Sequence, residues 1–221
     1  VHCWVCDERA RALTDEGRTA VAQYLSVVDG NEKAASRTNI TVPLHPSLQR
    51  AYEILEPIFI DGIIGDGTDF SVGGGQGLLG EDPEAWDKVL NLVPDSSAGI
   101  RERIRAAWQK PGQSAQSRWA KLVAECDKAA TSLQKKGSRD ASKAMRRAPY
   151  EIVFVGCYPR LDVNVSTHRN HLLKSPFCVH PKTGCVCVCF NPEDVATFDP
   201  CTVPNLATVR PPPPPPPPPS P

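Results

Sequence analysis

The chain has 221 residues, and its 25 Lys and Arg residues balance 25 Asp and Glu residues to a formal net charge of zero. The length suffices for one or two domains with a hydrophobic core, and the neutral balance excludes recruitment of nucleic acid or membrane by overall charge. No apolar run reaches the roughly 20 residues of a membrane span and no leader-like segment is found, so we expect an intracellular protein without membrane contact.

The first part of the chain predicts a strand followed by helix. The apolar opening VHCWV predicts a strand over residues 1–7, and its start at Val rather than Met predicts a fragment. Asp7 and Thr14 are suitable helix caps, apolar residues recur at helical spacing from Val21 to Val28, and Gly30 ends the pattern. We therefore expect helix up to that glycine.

The middle of the chain predicts helices interrupted by two loops. Helical patterns cover residues 46–60 and 84–136, separated by a glycine-rich stretch at 61–82. That stretch lacks the Lys-Ser/Thr of a P-loop and the strand-to-helix setting of a dinucleotide fingerprint, so we interpret it as a flexible surface insertion. The basic segment 137–149 is predicted to be a loop.

Charged residues are unevenly distributed in this middle part of the chain. Residues 53–95 hold ten acidic side chains and one lysine, whereas residues 101–147 hold thirteen basic and four acidic ones. The basic block permits nucleic-acid contact, although solvated helix faces are the favoured interpretation.

Trp86, Trp108 and Trp119 lie on apolar helical stripes, which predicts core anchors rather than base-stacking platforms.

The nine cysteines form an odd number in a chain of this size, which favours reduced thiols over a disulfide framework. Two clusters raise the possibility of a zinc site: Cys3 with Cys6, and Cys185 with Cys187 and Cys189. Neither cluster has the usual turn between ligands. We therefore interpret them as ordinary thiols, since free cysteine behaves as a small hydrophobe.

The last third of the chain has strand-like patterns and a proline tail. Residues 151–157 are ambiguous between a buried strand and a short helix, while the alternation over 161–166 predicts a strand. Residues 177–190 predict a hairpin with a His-Pro-Lys-Thr-Gly turn. Nine consecutive prolines, Pro211–Pro219, predict an extended polyproline segment that either binds an aromatic groove or has no function.

One carboxylate stands among many cations between Pro159 and Gly184. Asp162 alone cannot form a two-carboxylate hydrolytic pair or hold Mg²⁺ securely, whereas Lys174, His180 and Lys182 suit a polyphosphate. An acidic metal ligand beside phosphate-binding cations is typical of metal-dependent phosphoryl or nucleotidyl transfer. The alternative is a surface hairpin with miscellaneous charges.

Four segments carry a resemblance to a known family: VHCWVCDERARALTDEGRTAVAQYL, EAWDKVLNLVP, SRWAKL and PRLDVNVSTHRNHLLKSPFCVHPKTG. They resemble, in the same order, the eukaryotic-type DNA primase small (catalytic) subunit, over Val1 to about Pro204. The resemblance implies an α/β (α+β) fold in which 1–8 and 148–205 belong to a mixed-sheet catalytic core. It also implies an inserted helical subdomain at 9–147, and residues 206–221 are then a disordered polyproline tail.

The resemblance also implies roles for individual residues. Asp162 corresponds to the third member of a catalytic carboxylate triad and is a metal ligand. The residues corresponding to nucleotide-binding positions of the family are His2, Arg160, His171, Leu172, Leu173, Lys174 and His180. Protonated His2 and His180 would suit a polyphosphate, because a nearby anion favours the charged form of imidazole.

The activity implied by the resemblance is synthesis of short RNA primers from NTPs on a single-stranded DNA template. Mg²⁺ or Mn²⁺ would fill a two-metal site, incomplete here because two catalytic aspartates of the family lie upstream, as does its structural Zn²⁺ site. The isolated chain is therefore expected to be inactive. The implied partners are an RNA/DNA primer, the primase large subunit and the DNA polymerase alpha complex, in the nucleus. The alternative function is an inert primase-like interaction module that presents the polyproline segment.

Overall fold

The structure is a computed structural model, and it describes residues 3–29, 37–38, 40–65, 77–173, 175–195 and 197–209. The chain divides into two compact units, residues 1–163 and residues 164–221. Among the described residues, helices dominate and strand pairing is sparse. None of the described helices is both long enough and apolar enough to cross a membrane.

The first unit consists mainly of helices. Its helices are α1 Glu8–Ala12, α2 Asp15–Leu25, α3 Pro46–Ile58, α4 Trp86–Leu90, α5 Ile100–Trp108, α6 Ala115–Lys135 and α7 Arg139–Cys157. Strands β1 (Val28–Asp29) and β2 (Arg37–Thr38) form a short antiparallel ladder in which Val28 pairs with Thr38. The described residues therefore show less sheet than the predicted mixed core, and the β-content of that core stays a prediction.

Helix α2 begins where the capping pattern predicts and ends earlier. The Thr14 hydroxyl accepts a hydrogen bond from the Gly17 amide at 3.2 Å, which satisfies one of the free amides of the first turn. The helix ends at Leu25 rather than at Gly30, because the following residues enter β1. Its apolar side chains at Val21 and Tyr24 are 47% and 75% exposed, so this stripe does not pack into the core of the chain.

Helix α3 continues into a π-helical turn, Phe59–Ile64, directly after Pro57. Proline removes an amide from the helical ladder, and a wider turn is a common response to such an interruption. Ile64 is fully buried, and its carbonyl accepts the Leu79 amide at 3.2 Å. The predicted flexible surface insertion is therefore wrong at both ends, because Ile64 and Leu79 belong to the core; residues 66–76 lie outside the described part.

Helices α6 and α7 form an antiparallel pair, and α7 corrects a prediction. Residues 137–149 were predicted to be a basic loop, but the helix runs through Pro149 to Cys157. Met145, Ala148 and Ile152 are almost completely buried, so packing against the rest of the core outweighs the local penalty of a proline. The same helix settles the ambiguity at residues 151–157 in favour of helix.

The core of the first unit is built around tryptophan residues, as predicted. Trp86, Trp108 and Trp119 are 2%, 0% and 3% exposed. Trp86 and Trp108 meet edge to face with ring centroids 5.6 Å apart, and Trp119 meets Phe59 at 5.1 Å. Such contacts stabilise a core beyond the burial of area alone. The base-stacking alternative is excluded for these faces because the rings are covered.

A buried arginine connects the tryptophan residues to the end of the glycine-rich stretch. Arg118 is 7% exposed; its Nη1 donates to the carbonyls of Leu79 and Gly80 at 2.7 and 2.9 Å, and its guanidinium lies 5.0 Å from the Trp86 ring centroid. Its own carbonyl accepts the Trp108 indole N–H at 2.7 Å. Charge-assisted bonds to carbonyls and the aromatic face replace the water lost on burial.

Burial also changes the acidity of core side chains. Burial, together with the carboxylate of Glu56 that accepts from its hydroxyl at 2.6 Å, raises the pKa of Tyr52. Burial raises the pKa of the Cys126 thiol to about 12, and that of Cys157 to a lesser degree. These two thiols stay protonated at neutral pH and behave as hydrophobic groups.

The second unit is built from loops, turns and short helices. Its regular elements are α8 Val163–Thr167, which begins at the division, two 3₁₀ turns at Pro192–Asp194 and Pro200–Thr202, and α9 Leu206–Val209. The predicted hairpin is present as an isolated antiparallel bridge between Val179 and Val186. Residues 206–209 are helical. Residues 210–221 lie outside the described part, so the predicted disordered tail stays a prediction.

Two predicted strands are not formed by the residues that the structure describes. Residues 163–167 form α8 instead of a strand over 161–166, and Cys3–Asp7 has no regular structure; Val1 and His2 lie outside the described residues. A strand needs a neighbour to satisfy its amides, and within the described chain neither segment has one. A helical turn satisfies its amides locally, as the His168 amide does on Asn164.

The division between the units falls after residue 163, and it does not test the predicted domain bounds at 1–8, 9–147 and 148–205. Helix α7 crosses the predicted boundary and packs on α6 within the first unit. This division does not test whether 1–8 and 148–205 belong to one catalytic core, so that assignment stays a prediction.

Candidate functional site

The predicted site residues are distributed over both units. Arg160 and Asp162 lie at the end of the first unit, in the irregular segment between α7 and α8, and both side chains are exposed. His171 and His180 lie in the second unit. His2 and Lys174 lie outside the described residues, so their predicted roles stay predictions.

The best-defined predicted residue is His180, which begins the turn of the hairpin. Its Nδ1 accepts the Thr183 amide at 3.3 Å and lies 3.1 Å from the Thr183 hydroxyl. The backbone closes around it, since the Gly184 amide donates to the His180 carbonyl at 2.9 Å and the His180 amide donates to Cys185 at 2.8 Å. The backbone bond to Nδ1 assigns the proton of the neutral ring to Nε2.

The hydrogen bond at Nδ1 determines which ring nitrogen of a neutral His180 carries the proton, and that nitrogen is Nε2. The predicted protonated form of His180 stays a prediction. A phosphate or hydroxyl oxygen is a suitable acceptor for the Nε2–H group. Lys182, in the same turn, has an exposed side chain and adds a cation.

Two residues that support the turn were not identified from the sequence. Thr183 orients His180, and Asn205 donates from Nδ2 to the Thr183 carbonyl at 2.8 Å. The Leu206 amide donates to the Gly184 carbonyl at 2.8 Å, so the chain around Asn205 forms a third edge beside the hairpin. Gly184 has φ +71°, and an added Cβ there would lie 3.1 Å from the Asn205 side chain. Gly184, which ends the HPKTG turn, was the one signal in the sequence that the turn needs a special backbone conformation and close packing.

The remaining predicted nucleotide contacts lie on an exposed loop. Leu172 and Leu173 are 90% and 52% exposed, and the His171 ring Nδ1 lies 2.8 Å from the Leu172 carbonyl. Side chains in this condition are accessible to a ligand.

The described residues do not assemble a complete metal site. No group of three or more His, Cys, Asp or Glu side chains in the described part is arranged to hold a metal ion. Asp162 offers a carboxylate, the ligand type that Mg²⁺ and Mn²⁺ prefer, but one carboxylate provides only one or two of the six oxygen ligands of Mg²⁺. Asp162 therefore fits as a single ligand, and the chain's described donors do not fit a full two-metal site.

Residues 1–192 match the family model described as DNA primase small subunit. The chain belongs to this family. It is 38% identical over 212 residues to the DNA primase small subunit of Drosophila melanogaster, covering 93% of this chain and 45% of the relative. It is 35% identical over 209 residues to that of Schizosaccharomyces pombe, covering 93% and 42%, and 33% identical over 189 residues to that of Saccharomyces cerevisiae, covering 85% and 42%.

The family match confirms the resemblance found in the sequence and covers all predicted site residues. Asp162, His171 and His180 all fall inside the matched range, whereas the proline segment falls outside it. The chain spans about half the length of the curated relatives it matches.

Proposed function

We propose that this chain provides the nucleotide-contacting part of a DNA primase small subunit, in which NTPs are joined into a short RNA primer on a single-stranded DNA template. One observation carries the proposal: His180, inside the segment that matches the family, accepts the Thr183 amide at Nδ1, which leaves Nε2–H as the donor of the neutral ring. A donor fixed before the ligand arrives loses less conformational entropy on binding.

The chemistry proposed for each residue follows from its type and position. The Nε2–H of His180 donates to a phosphate oxygen of the incoming NTP, and Lys182 adds electrostatic attraction. His171, Leu172 and Leu173 cover the ribose, while Lys174, Arg160 and His2 complete the cationic wall, as the family resemblance implies. These contacts hold the α-phosphorus of the NTP in position for attack by the primer 3′-hydroxyl.

Mg²⁺ or Mn²⁺ is the proposed cofactor, with Asp162 as one ligand. A bound divalent ion would offset negative charge on the phosphate oxygens and on the pyrophosphate leaving group. The other ligands are proposed to come from the length that the family small subunits have beyond the part matched here. The chain alone is therefore proposed to be inactive.

Family membership alone supports the remaining proposals. The partners proposed are the primase large subunit and the DNA polymerase alpha complex, acting on an RNA/DNA primer in the nucleus. No structural Zn²⁺ site is proposed for this chain. An inert interaction module that presents the proline segment is the competing function, and the experiment below distinguishes the two.

The decisive experiment replaces the matching segment of the Drosophila small subunit by this chain and measures primer synthesis with NTPs, template and Mn²⁺. We expect activity with the native chain and a loss on the order of a hundredfold or more with Asp162→Asn, which keeps the size of the side chain but removes its charge. Glu193→Gln, an exposed carboxylate beyond the matched range, is the control and should keep full activity.

A binding measurement on the chain itself makes the test independent of that chimera. We expect addition of ATP to shift the NMR signals of the His180 ring, and His180→Asn, which keeps an acceptor near the Nδ1 position but has no Nε2–H, to weaken binding by roughly tenfold. Equal primer synthesis by the Asp162→Asn and native chimeras, or ATP binding unaffected by His180→Asn, would contradict the proposal and favour the interaction module.

A further inference from the structure

The hairpin of the second unit brings two cysteines opposite each other. Val179 and Val186 form the antiparallel bridge, and two hydrogen bonds flank it: the His180 amide to the Cys185 carbonyl at 2.8 Å, and the Cys187 amide to the Cys178 carbonyl at 2.9 Å. This register pairs Cys178 with Cys187 directly. Opposed residues of an antiparallel pair have side chains on the same face.

A bulge next to this pair preserves its register. Phe177 has φ +65°, and its amide also donates to the Cys187 carbonyl, at 2.8 Å. Phe177 and Cys178 therefore both lie opposite Cys187. Phe177 has the left-handed backbone conformation that is typical of the first residue in a G1 bulge. The extra residue is Phe177, so Cys178 keeps its place opposite Cys187.

The spacing of the pair is compatible with a covalent bond. Opposed residues at a hydrogen-bonded position have Cα atoms about 5.5 Å apart, close to the commonest Cα separation in disulfides. Both side chains are partly exposed, and neither cysteine belongs to a disulfide. A small oxidant can therefore reach them, and the backbone does not have to move far for the bond to form.

The neighbouring cysteines, Cys185 and Cys189, are less well placed to form a disulfide. Cys185 is opposite His180, and its Sγ lies 3.9 Å from the Thr183 carbonyl oxygen and 3.8 Å from Asn205 Nδ2. Cys189 follows the paired segment on the same arm as Cys187. Two positions along one strand place Cα atoms about 6.6 Å apart with parallel side chains, which disfavours a bond between cysteines of the same arm.

We propose that Cys178 and Cys187 form a redox modification site, in which the dithiol is converted to a cross-strand disulfide by a small-molecule disulfide such as glutathione disulfide. The thiolate of one cysteine attacks the oxidant and releases one glutathione thiolate, leaving a mixed disulfide. The second cysteine attacks that bond and releases the other. Two protein thiols lose two electrons and two protons, and one glutathione disulfide becomes two glutathione thiols.

This site does not depend on the proposed nucleotide chemistry. If both hold, the disulfide fixes the hairpin arms on either side of the turn that carries His180. Partly exposed disulfides between adjacent strands are the labile class that exchanges with glutathione, so the reaction is reversible.

Trypsin gives a direct readout of the bond in the native chain. Trypsin cleaves after Lys174 and Lys182 but not at the Arg210–Pro211 bond. Cleavage therefore yields peptide 175–182, whose single cysteine is Cys178, and peptide 183–221, which contains Cys187 and three other cysteines. The chain is equilibrated with reduced and oxidised glutathione, free thiols are alkylated, and the digest is analysed by mass spectrometry. We expect the two peptides joined, with fragmentation assigning Cys187 as the partner.

Controls test whether the disulfide link is determined by the folded hairpin or by random pairing of cysteines. In urea the same redox buffer should give links from Cys178 to any of the four cysteines in peptide 183–221, without preference for Cys187. Cys187→Ser should lower the joined fraction by roughly tenfold or more, whereas Cys189→Ser should leave it unchanged. Alkylated Cys178 at every glutathione ratio, a preferred link to a different cysteine, or an unchanged joined fraction in Cys187→Ser would overturn the proposal.

Discussion

The two units of the chain are stabilised in different ways. Every described apolar residue that is buried lies between Ala22 and Phe154, in the first unit, whereas in the described part of the second unit Thr167 alone is buried. The second unit is held by hydrogen bonds around turns and by a stacked pair, Phe190 and Phe198, with ring centroids 4.2 Å apart. Buried area stabilises the first unit and local bonding the second.

The unit with most of the buried area is therefore not the unit with most of the predicted nucleotide-binding residues. Most of the predicted nucleotide-binding residues lie in the unit with little buried area, which follows the general tendency of binding loops to come from the less stable parts of a fold. Substitutions in the first unit should therefore change global stability, and substitutions in the second should change local opening. The three predictions that follow test this contrast.

The largest effect is expected for Arg118→Met in the first unit. The change leaves the carbonyls of Leu79 and Gly80 without their buried donor and removes the charge from the face of Trp86. We expect a loss of about 3 kcal/mol in the free energy of unfolding, measured by urea denaturation followed through tryptophan fluorescence.

Arg103→Met is the matched control for that experiment. Arg103 bonds the Ala98 carbonyl at 2.8 Å, but its side chain is about half exposed, so water can replace the lost partner. We expect a change within about 0.5 kcal/mol. Similar losses in the two variants would show that Arg118 is not an anchor of the core.

A smaller effect is expected for Gly156→Ala in α7. A Cβ at Gly156 would lie 2.9 Å from Cε2 of Phe59, and that ring is itself packed against Trp119. We expect a loss of about 2 kcal/mol by overpacking, seen as a lower midpoint of thermal unfolding. Gly62→Ala, where the added Cβ meets nothing within 4 Å, should be neutral or stabilising; equal losses would argue against a packing origin.

The helical core was the most predictable part of the molecule. Thr14 predicted the start of α2, and the spacing of Trp86, Trp108 and Trp119 predicted burial, because caps and apolar periodicity depend on residues close in sequence. The basic segment 137–149 was predicted to be a loop, whereas the apolar face of helix α7 continues through it and past Pro149. Tertiary packing decided that case.

The strands and the site were predictable only in part. Alternation over 161–166 predicted a strand, but a strand forms only beside a partner, and the sequence does not say whether one is present. His180 was identified by its motif. Its orientation depends on Thr183 and on Asn205, which is distant in sequence, so the geometry of the donor could not be read from local patterns.

The smallest effect is expected for Asn205→Ala in the second unit. The change removes the bond from Asn205 Nδ2 to the Thr183 carbonyl at 2.8 Å and the bond from the Ala207 amide to Asn205 Oδ1 at 3.0 Å. These bonds are partly exposed, so we expect a loss of about 1 kcal/mol. Because few buried contacts oppose local opening, the loss should stay within the second unit.

Hydrogen exchange can locate that loss. We expect the amides of Gly184 and Leu206, which close the turn and its third edge, to exchange about fivefold faster, while the amides of α6 keep their native rates. Asn191→Ala, which removes a cap on the Glu193 amide in the same unit, should leave the Gly184 rate unchanged. Faster exchange throughout α6 in Asn205→Ala would mean that the two units open together, and the contrast between a unit held by burial and a unit held by local hydrogen bonds would then be wrong.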